Sequence, residues 1–448
     1  MKSIAKYLLL FLVTITLMTT ALIGVATIPH DWIQTNSKES AEQLLRRNTN
    51  YYNLIGGTSG RTLLRPWDCS KIDQIADLYL LSIAYYLDEE DPLESVFWAR
   101  YYDGREDSVA PLKNMNESYY RSVTENTPTN KQYLRYWHGS LVIVRPLLTI
   151  LNLNQMKILA GVVLTVLLVT LLFQLTKRGF KPEALCMGIA MVSISVWFVP
   201  LSLEYIWMFI LMLSASILIL NKSTEENKAE SLYKFFFIIG MLASYFDFFT
   251  TETITLLVPL LLCIRILCQK NNLSNTRIWL FAIKCVFLWG IGYVGCWTAK
   301  WALSSIIFRV NALTYVQERF WLHLGVNEEH SLGLGLMGAV LRNLSQLFPF
   351  GYGKIAAPAS LGLIVIFVFL PVFKGWLVIR DNINWNRICL FGLLGMIVYV
   401  RFLILWQHSW RHYFFTYRAQ CAPVLALCFI ILELVQPTLR KGKVIAND

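Results

Sequence analysis

The segment YLLLFLVTITLMTTALIGVAT occupies residues 7–27 and decides the class of this protein. It is an uncharged run, and about 20 apolar residues suffice for a helix to cross the hydrocarbon core of a bilayer. Lys2 and Lys6 precede it, as they would in a signal peptide. The run is longer than the roughly 7–15 residues of a signal core, so we expect a retained N-terminal transmembrane anchor, with cleavage as the alternative.

The composition of the whole chain agrees with this segment. Of the 448 residues, 56% are hydrophobic, 15% are charged and 14% are aromatic. Soluble chains have about 45–50% apolar and about 25% charged residues, and aromatic rings gather where a bilayer meets water. The composition indicates an integral membrane protein and excludes a disordered chain, a collagen-like repeat and a typical soluble enzyme.

The Lys and Arg residues lie mainly between long apolar runs. The net charge of +11 therefore does not indicate a nucleic-acid partner, because short basic loops of this kind orient a membrane protein. The nine Cys residues offer no disulfide framework outside the membrane, since only Cys69 lies in a long polar segment. The partner that the sequence predicts directly is the lipid bilayer.

Ten apolar runs are candidate transmembrane helices. If the N-terminus is cytoplasmic, the basic clusters after every second run all fall on the cytoplasmic side. This pattern predicts a multi-pass protein of the plasma (cytoplasmic) membrane with both termini in the cytoplasm. The fourth, fifth and sixth runs are short, so their ends are the least well defined. The ten runs are residues 7–27, 156–175, 184–201, 205–220, 235–250, 253–267, 279–298, 356–378, 388–406 and 423–435.

The runs divide the chain into five regions. Residues 1–27 form the anchor, 28–155 a long extracytoplasmic loop and 156–299 the first part of a transmembrane bundle; 300–355 form a second extracytoplasmic segment, and 356–448 the last part of the bundle with a cytoplasmic tail. The long loop is predicted to be mostly helical, with helices near 72–87 and 92–102. A helix near 332–348 is predicted to be interfacial or re-entrant. The predicted fold class is an all-α polytopic membrane protein with about ten transmembrane helices.

The segment HSWRHYFFTYR at residues 408–418 carries the strongest local pattern. If it is helical, one stripe holds His408, Arg411, His412, Phe415 and Arg418. Arg offers forked donors to phosphate oxygens, so the stripe predicts binding of a phosphate or pyrophosphate headgroup. The alternative is an aromatic belt with solvated cations. A zinc site on the two His residues lacks an evident third ligand, and no metal site is predicted.

Two acidic residues are candidates for a general base. Asp31 follows the first span directly, and Asp247 lies between two Phe residues in SYFDFFTTE at 244–252. Burial raises the pKa of a carboxyl, which suits a general base or a metal ligand. The alternatives are a helix N-cap at Asp31 and a cap or hairpin turn at Asp247. Glu252, in the same polar run, is a candidate substrate-binding residue.

Charged residues inside the predicted spans are candidates for function. Arg401 lies in the outer half of the ninth run, where a charge is costly unless it faces the bundle interior or a wet cavity. Its alternative is snorkelling to the outer surface. Arg265, Lys284 and Glu433 lie near cytoplasmic ends and are expected to snorkel there.

The segment YLRYWH at residues 133–138 is rich in aromatic residues and precedes a short apolar helix. It ends in His138, and Arg145 lies in the helix that follows. These residues are predicted to line an acceptor groove. The alternative is that they only anchor the helix at the interface.

The architecture resembles that of the membrane-embedded glycosyltransferases of class C. The shared plan is one N-terminal span, an Asp soon after it, a long outer loop with membrane-lying helices, and then many spans. The blocks at 133–138, 245–252 and 408–418 are also similar to blocks in polytopic membrane proteins of Gram-positive bacteria. The resemblance implies a polyprenyl-phosphate sugar donor, with Asp31 as the catalytic carboxylate and Arg411 and Arg418 at the carrier phosphate. A single acidic residue after the first span, instead of a paired acidic motif, is a departure from many such enzymes.

Two functions from different classes follow. The first is a glycosyltransferase-like enzyme of envelope polysaccharide assembly at the extracytoplasmic face, with a carboxylate as base and cations for the leaving phosphate. The second is a non-enzymatic membrane protein, either a transporter of lipid-linked saccharides or an assembly subunit. A divalent cation remains open as a cofactor. The sequence contains no P-loop pattern and no G-x-S-x-G pattern.

The orientation can be tested with reporter fusions. Fusions after Lys181, Lys228 and Lys443 should report a cytoplasmic position because basic loops stay inside. Fusions within residues 70–118 should report the opposite side. An external position at Lys228 would contradict the arrangement of ten spans.

Overall fold

A computed structural model of the chain describes residues 2–47, 49, 51–54, 68–107, 111–222, 229–270, 274–314, 317, 332–347, 366, 374 and 377–437. The all-α prediction is confirmed within these residues, apart from three short sheets. The helices are α1 (Lys2–Ala26), α2 (His30–Leu45), α3 (Gln74–Tyr85), α4 (Pro92–Trp98), α5 (Met115–Glu125), α6 (Leu141–Leu148), α7 (Leu153–Lys177), α8 (Lys181–Ser193), α9 (Ile206–Lys222), α10 (Ala229–Phe246), α11 (Ile254–Lys270), α12 (Asn275–Phe308), α13 (Leu332–Leu344), α14 (Trp385–Ile404), α15 (Trp406–Arg411), α16 (Tyr413–Thr416) and α17 (Cys421–Leu434).

The sheets are antiparallel pairs of two short strands. They join β1 (Tyr51–Asn53) to β2 (Lys71–Asp73), β3 (Arg100–Tyr101) to β4 (Lys131–Gln132), and β5 (Leu377–Ile379) to β6 (Val435–Pro437). In the first sheet Tyr51 is opposite Asp73 and Tyr52 is opposite Ile72. Four of the six strands lie in the long segment at 28–155, which the sequence predicted as mostly helical.

Among the residues that the structure describes, five helical segments are long and apolar enough to cross a membrane. They correspond to the first, second, seventh, ninth and tenth predicted runs, whereas α9 and α11 are apolar but shorter. About ten spans are therefore not found in the described residues. The run at 356–378 lies almost wholly outside them. The five segments are Ile4–Ala26, Leu153–Lys177, Asn275–Phe308, Trp385–Ile404 and Tyr413–Leu434.

The third predicted run does not form one long helix in the structure. Helix α8 has 13 residues, ends at Ser193 and is followed by a 3₁₀ turn over Val196–Leu201. At 1.5 Å per residue such a helix rises about 20 Å, less than the roughly 30 Å of a hydrocarbon core. Apolar runs also build helices that are buried against other protein, and several residues of α8 are fully buried.

The prediction that Arg265 and Glu433 snorkel is wrong. Arg265 on α11 donates from Nε to Glu183 Oε1 over 2.9 Å and from Nη1 to Glu433 Oε1. Both carboxylates are buried, and they belong to α8 and α17. Since buried charges are tolerated when they are paired, this cluster joins three helices and does not extend its charges to the lipid surface.

Helices α10 and α12 pack closely because each has a glycine at the contact. A Cβ atom on Gly240 would lie 2.1 Å from the carbonyl oxygen of Trp289. A Cβ atom on Gly292 would lie 2.2 Å from the carbonyl oxygen of Phe237. Small residues allow backbones to approach in this way, and the approach brings α12 beside the residues that follow α10.

Substitution of Gly240 tests this packing. Gly240→Ala should destabilise the protein by about 1–3 kcal/mol or more, because backbone atoms must move to accept the new methyl group. Thermal unfolding of the purified full chain in detergent measures the effect. Gly290→Ala is the matched control, since no described atom lies within 4 Å of a Cβ built there. Equal unfolding temperatures for the two variants would contradict the close contact.

Candidate functional site

A cavity of about 180 Å³ lies among segments that are far apart in the sequence. Its walls come from β1, the start of α3, the segment before α6, the turn before α9, the turn after α10 and the region of α15 and α16. The three blocks singled out in the sequence all contribute to it. The lining residues are Tyr51, Asp73, Ile75, Ala76, Tyr79, Tyr133, Arg135, Tyr136, Glu204, Phe248, His408, His412 and Phe415.

Two carboxyl groups line the cavity. Asp73 ends β2 and caps α3 by accepting a hydrogen bond from the Ile75 N–H over 2.9 Å. Its side chain is nearly buried, and this burial, together with the nearby Asp77 carboxylate, raises the pKa of Asp73 to about 7. Burial also raises the pKa of Glu204, and the neighbouring carboxylates of Asp73 and Asp77 add to the shift. Carboxyl groups with pKa values near neutral pH can exchange protons with a substrate.

A fully buried third carboxylate holds these two in place. Asp77 accepts from the Leu203 N–H over 2.8 Å and from the Ser202 hydroxyl over 3.3 Å. Its other oxygen pairs with Lys157 Nζ of α7 at 2.5 Å. Asp77 therefore connects α3, the turn that carries Glu204, and α7, a helix long and apolar enough to cross a membrane. Breaking such a buried pair from one side leaves an uncompensated charge.

Asp247 forms part of the turn after α10, which is the hairpin role named above as an alternative to a general base. Asp247 accepts from the Thr250 N–H at 3.1 Å and from the Thr250 hydroxyl at 2.6 Å, so it stabilises the hairpin turn. Burial and the nearby Glu252 raise the pKa of Asp247 to about 7. The turn directs the adjacent Phe248 into the cavity.

Arg401 faces the protein interior and does not snorkel. Its Nε donates to Glu252 Oε1 over 2.9 Å, and one terminal nitrogen donates to the Phe249 carbonyl over 2.8 Å. The side chain of Arg401 is 9% exposed. Arg401 and Glu252 thus brace the turn behind the cavity, and neither lines it.

Aromatic rings and nitrogen-bearing side chains line the rest of the cavity. The rings of His408 and His412 lie 4.8 Å apart, and that of Phe415 lies 5.2 Å from His412. Arg135 stacks against Tyr133 with its Cζ atom 4.9 Å from the ring centroid. The cavity therefore combines carboxylates, nitrogen donors and flat apolar surfaces.

The predicted stripe at 408–418 is broken in the middle. Helix α15 ends at Arg411 and α16 begins at Tyr413, because His412 leaves the helical backbone conformation. Arg411 is therefore exposed and does not line the cavity. Arg418 is fully buried and donates to the carbonyl groups of Cys69 and Phe414. Its position stabilises the chain beneath the cavity, which is not the surface phosphate contact that was predicted.

His138 and Arg145 also serve the fold in the described structure. Burial lowers the pKa of His138 to about 3, so its ring is neutral, and its Nε2 lies 2.9 Å from the Tyr133 carbonyl. Arg145 is fully buried and donates to the carbonyl groups of Ala84 and Ile28 over 2.6 and 2.7 Å. Neither side chain lines the cavity. His138 packs behind the wall, and Arg145 joins the end of α1 to α3.

Neither Asp31 nor Asp247 lines this cavity. Pro29 interrupts the helical backbone, and α2 begins at His30, so Asp31 lies in an exposed first turn. A carboxylate in the first turn of a helix is stabilised by the backbone N–H groups there. The predicted convergence of Asp31, Asp247, Arg411 and His412 on one cavity is therefore wrong: only His412 lines it, and Asp247 lies in the turn behind Phe248.

Sequence reasoning missed Asp73, Glu204 and Arg135. Asp73 and Asp77 are four residues apart at the start of an otherwise apolar helix, a pattern that places two acids on one helix face. Glu204 lies alone in a tight loop between apolar runs. Arg135 lies within the aromatic block whose other residues were singled out. Each signal was present, but none is specific without the neighbours that the fold supplies.

No group of three or more His, Cys, Asp and Glu residues is arranged to hold a metal ion within the described part of the chain. Comparison with known proteins gives no family model, curated protein or solved structure that matches this chain. The chemistry of the cavity is therefore argued from its own residues.

The raised pKa of Asp73 predicts a pH-dependent stability. A carboxyl whose pKa is raised in the folded state holds more protons there than in the unfolded chain, so the free energy of unfolding should fall as pH rises from about 4 to about 7. Asp73→Asn should reduce this fall, because Asn retains the cap and cannot ionise. One pKa unit corresponds to about 1.4 kcal/mol, which thermal unfolding resolves.

The control for this measurement is Glu90→Gln, which changes an exposed acid of the same segment. It should have the pH dependence of the wild type. An unchanged pH dependence in Asp73→Asn would show that the Asp73 carboxyl does not titrate in the folded state near neutral pH.

Proposed function

We propose that this protein is a membrane-embedded glycosyltransferase of the class C type, acting at the extracytoplasmic face on a polyprenyl-phosphate-linked sugar in envelope polysaccharide assembly. One observation carries the proposal. Asp73, in the first long segment after the first span, lines a cavity that also holds aromatic rings, Arg135 and two His residues. The class C resemblance implies a catalytic carboxylate in that segment, and Asp73 takes the place first given to Asp31.

The proposed reaction uses Asp73 as the general base. The acceptor hydroxyl gives its proton to the Asp73 carboxylate, and the acceptor oxygen forms a bond to the anomeric carbon of the donor sugar. The bond between that carbon and the phosphate oxygen breaks, and the electron pair leaves with the phosphate. A base with a pKa near 7 is matched to this task at neutral pH.

Arg135, His408 and His412 supply what a leaving phosphate needs, and all three line the cavity. Arg135 is a fixed cation, and its backbone carbonyl accepts a hydrogen bond from Trp301 Nε1 of α12 over 3.1 Å. His408 and His412 add nitrogen atoms that donate hydrogen bonds when protonated there. Donors placed where negative charge develops lower the barrier more than donors that must reorient.

The aromatic lining suits a sugar ring. Tyr79, Tyr133, Tyr136, Phe248 and Phe415 present flat apolar surfaces beside the polar groups of the cavity. Small-molecule sites are commonly built in this way, with apolar walls for area and a few polar groups for orientation. Tyr79 also accepts a long hydrogen bond from Arg105, which steadies its hydroxyl group.

The membrane setting is part of the proposal. The apolar segments that are long enough to cross a bilayer give the enzyme access to a lipid carrier in the plane of the membrane. The basic short loops favour a cytoplasmic N-terminus, which would put Asp73 and the cavity on the outer side. The C-terminal tail would then be cytoplasmic.

Asp73→Asn tests the mechanism. The variant should keep its membrane level and its shape, while transfer from a labelled polyprenyl-phosphate sugar, prepared from host membranes, should fall by about 10²–10⁴-fold. Wild-type transfer should rise with pH through about 7, since the base must be ionised. Purified full-length protein in lipid nanodiscs is the material for the assay.

Two further variants make the result specific. Glu90→Gln is the matched control and should leave transfer unchanged, whereas Asp31→Asn asks whether the exposed acid contributes. Loss of transfer in Asp31→Asn with normal transfer in Asp73→Asn would assign the role of general base to Asp31. Envelope glycans that are unchanged in both Asn strains, but lost when the gene is removed, would favour a transporter or an assembly subunit.

A further inference from the structure

A second cavity, of about 510 Å³, lies on the other side of the β1–β2 sheet. Neighbouring residues of this sheet point to opposite sides. Tyr51 and Asp73 line the first cavity, whereas Tyr52, Ile72 and Gln74 line the second. Because side chains alternate along a strand, the short sheet is a wall between the two. We call the second cavity the α7 groove.

The α7 groove is apolar along most of its length. Leu153 and Ile158 of α7 form one side, and Leu44 and Leu201 contribute from α2 and from the 3₁₀ turn before α9. Ile158 is 67% exposed, and α7 is one of the helices able to cross a membrane. If α7 crosses a bilayer, its exposed surface beside the groove would meet lipid.

Two cations lie in the same lining. Arg47 is exposed at the end of α2, and its Cζ atom lies 4.8 Å from the centre of the Tyr52 ring. Lys157 is on the second turn of α7, and its side chain is 13% exposed while it pairs with Asp77. Gln43 and Asn154 add polar groups near these cations along α2 and α7. The groove therefore combines an apolar surface with the exposed cation of Arg47 and the ammonium group of Lys157, which is paired with Asp77.

We propose that the α7 groove binds an anionic membrane phospholipid, with its phosphate at Arg47 and Lys157 and one acyl chain along α7. Charge complementarity favours an anionic headgroup over a zwitterionic one, and basic pockets beside transmembrane helices bind such headgroups. The β1–β2 wall argues for a bilayer lipid instead of the sugar carrier, because it separates a phosphate in this groove from Asp73. The proposal goes beyond the transferase function and does not require it.

Native mass spectrometry of the full chain, with phosphatidylglycerol or phosphatidylcholine added, tests the binding. The wild type should retain phosphatidylglycerol in preference to phosphatidylcholine. Arg47→Gln should weaken phosphatidylglycerol binding by about tenfold, the effect of losing one charge-assisted contact. Lys38→Gln is the matched control, because Lys38 is an exposed cation of α2 outside the groove lining.

A second pair of variants tests the apolar part of the α7 groove and leaves the ion pair between Asp77 and Lys157 in place. Ile158→Trp should fill the groove and reduce retention of phosphatidylglycerol by a similar factor. Val166→Trp changes an exposed residue of α7 outside the lining and should have no effect. All of these readings measure bound lipid, so they are independent of sugar transfer.

Equal retention of phosphatidylglycerol by the wild type, Arg47→Gln and Ile158→Trp would overturn the proposal. Displacement of phosphatidylglycerol by an equal concentration of polyprenyl phosphate would overturn it as well, because the groove would then belong to the carrier. Loss of transfer activity in Asp73→Asn with normal phosphatidylglycerol binding would leave this proposal standing and bear only on the first cavity.

Discussion

The ion pair between Asp77 and Lys157 connects the segment at residues 28–155 to α7, one of the helices long and apolar enough to cross a membrane. Asp77 is fully buried, so its charge is tolerable only because Lys157 and two hydrogen-bond donors surround it. One of those donors is the N–H group of Leu203, next to Glu204. Asp77 lies on α3, and Asp73 is the N-cap of that helix, one turn before Asp77. The positions of both cavity carboxylates therefore depend on Lys157 of α7 through its ion pair with Asp77.

This arrangement also explains why the pKa values of the Asp73 and Glu204 carboxyl groups are raised. The carboxyl groups of Asp73, Asp77 and Glu204 lie close together and are buried. Among the described residues, only Asp77 of these three forms an ion pair with a lysine. Burial and mutual repulsion disfavour further negative charge, so Asp73 and Glu204 retain protons at a higher pH than exposed acids would. A group that binds and releases a proton near neutral pH follows from the packing alone.

The β1–β2 sheet separates two cavities whose linings differ in chemistry. One side of this short sheet meets carboxylates, aromatic rings and nitrogen donors, and the other meets an apolar groove with two cations. Tyr51 and Tyr52 are adjacent in sequence and yet belong to different cavities. Two cavities of different polarity therefore share one short sheet as a wall, which keeps their linings apart.

The sequence by itself determined the helical class, the apolar segments, the helices near 72–87 and 92–102, and the three blocks that meet at the cavity. These are properties of local composition and spacing, which a single chain displays directly. Tertiary structure alone decided how many apolar runs are long single helices, as the early end of α8 shows. It also decided which polar residues face the cavity: Asp73 and Glu204 do, whereas Asp31, Arg145 and Arg418 do not. The physical reason is that exposure, pairing and pKa depend on neighbours that are distant in sequence, and only the folded chain brings those neighbours together.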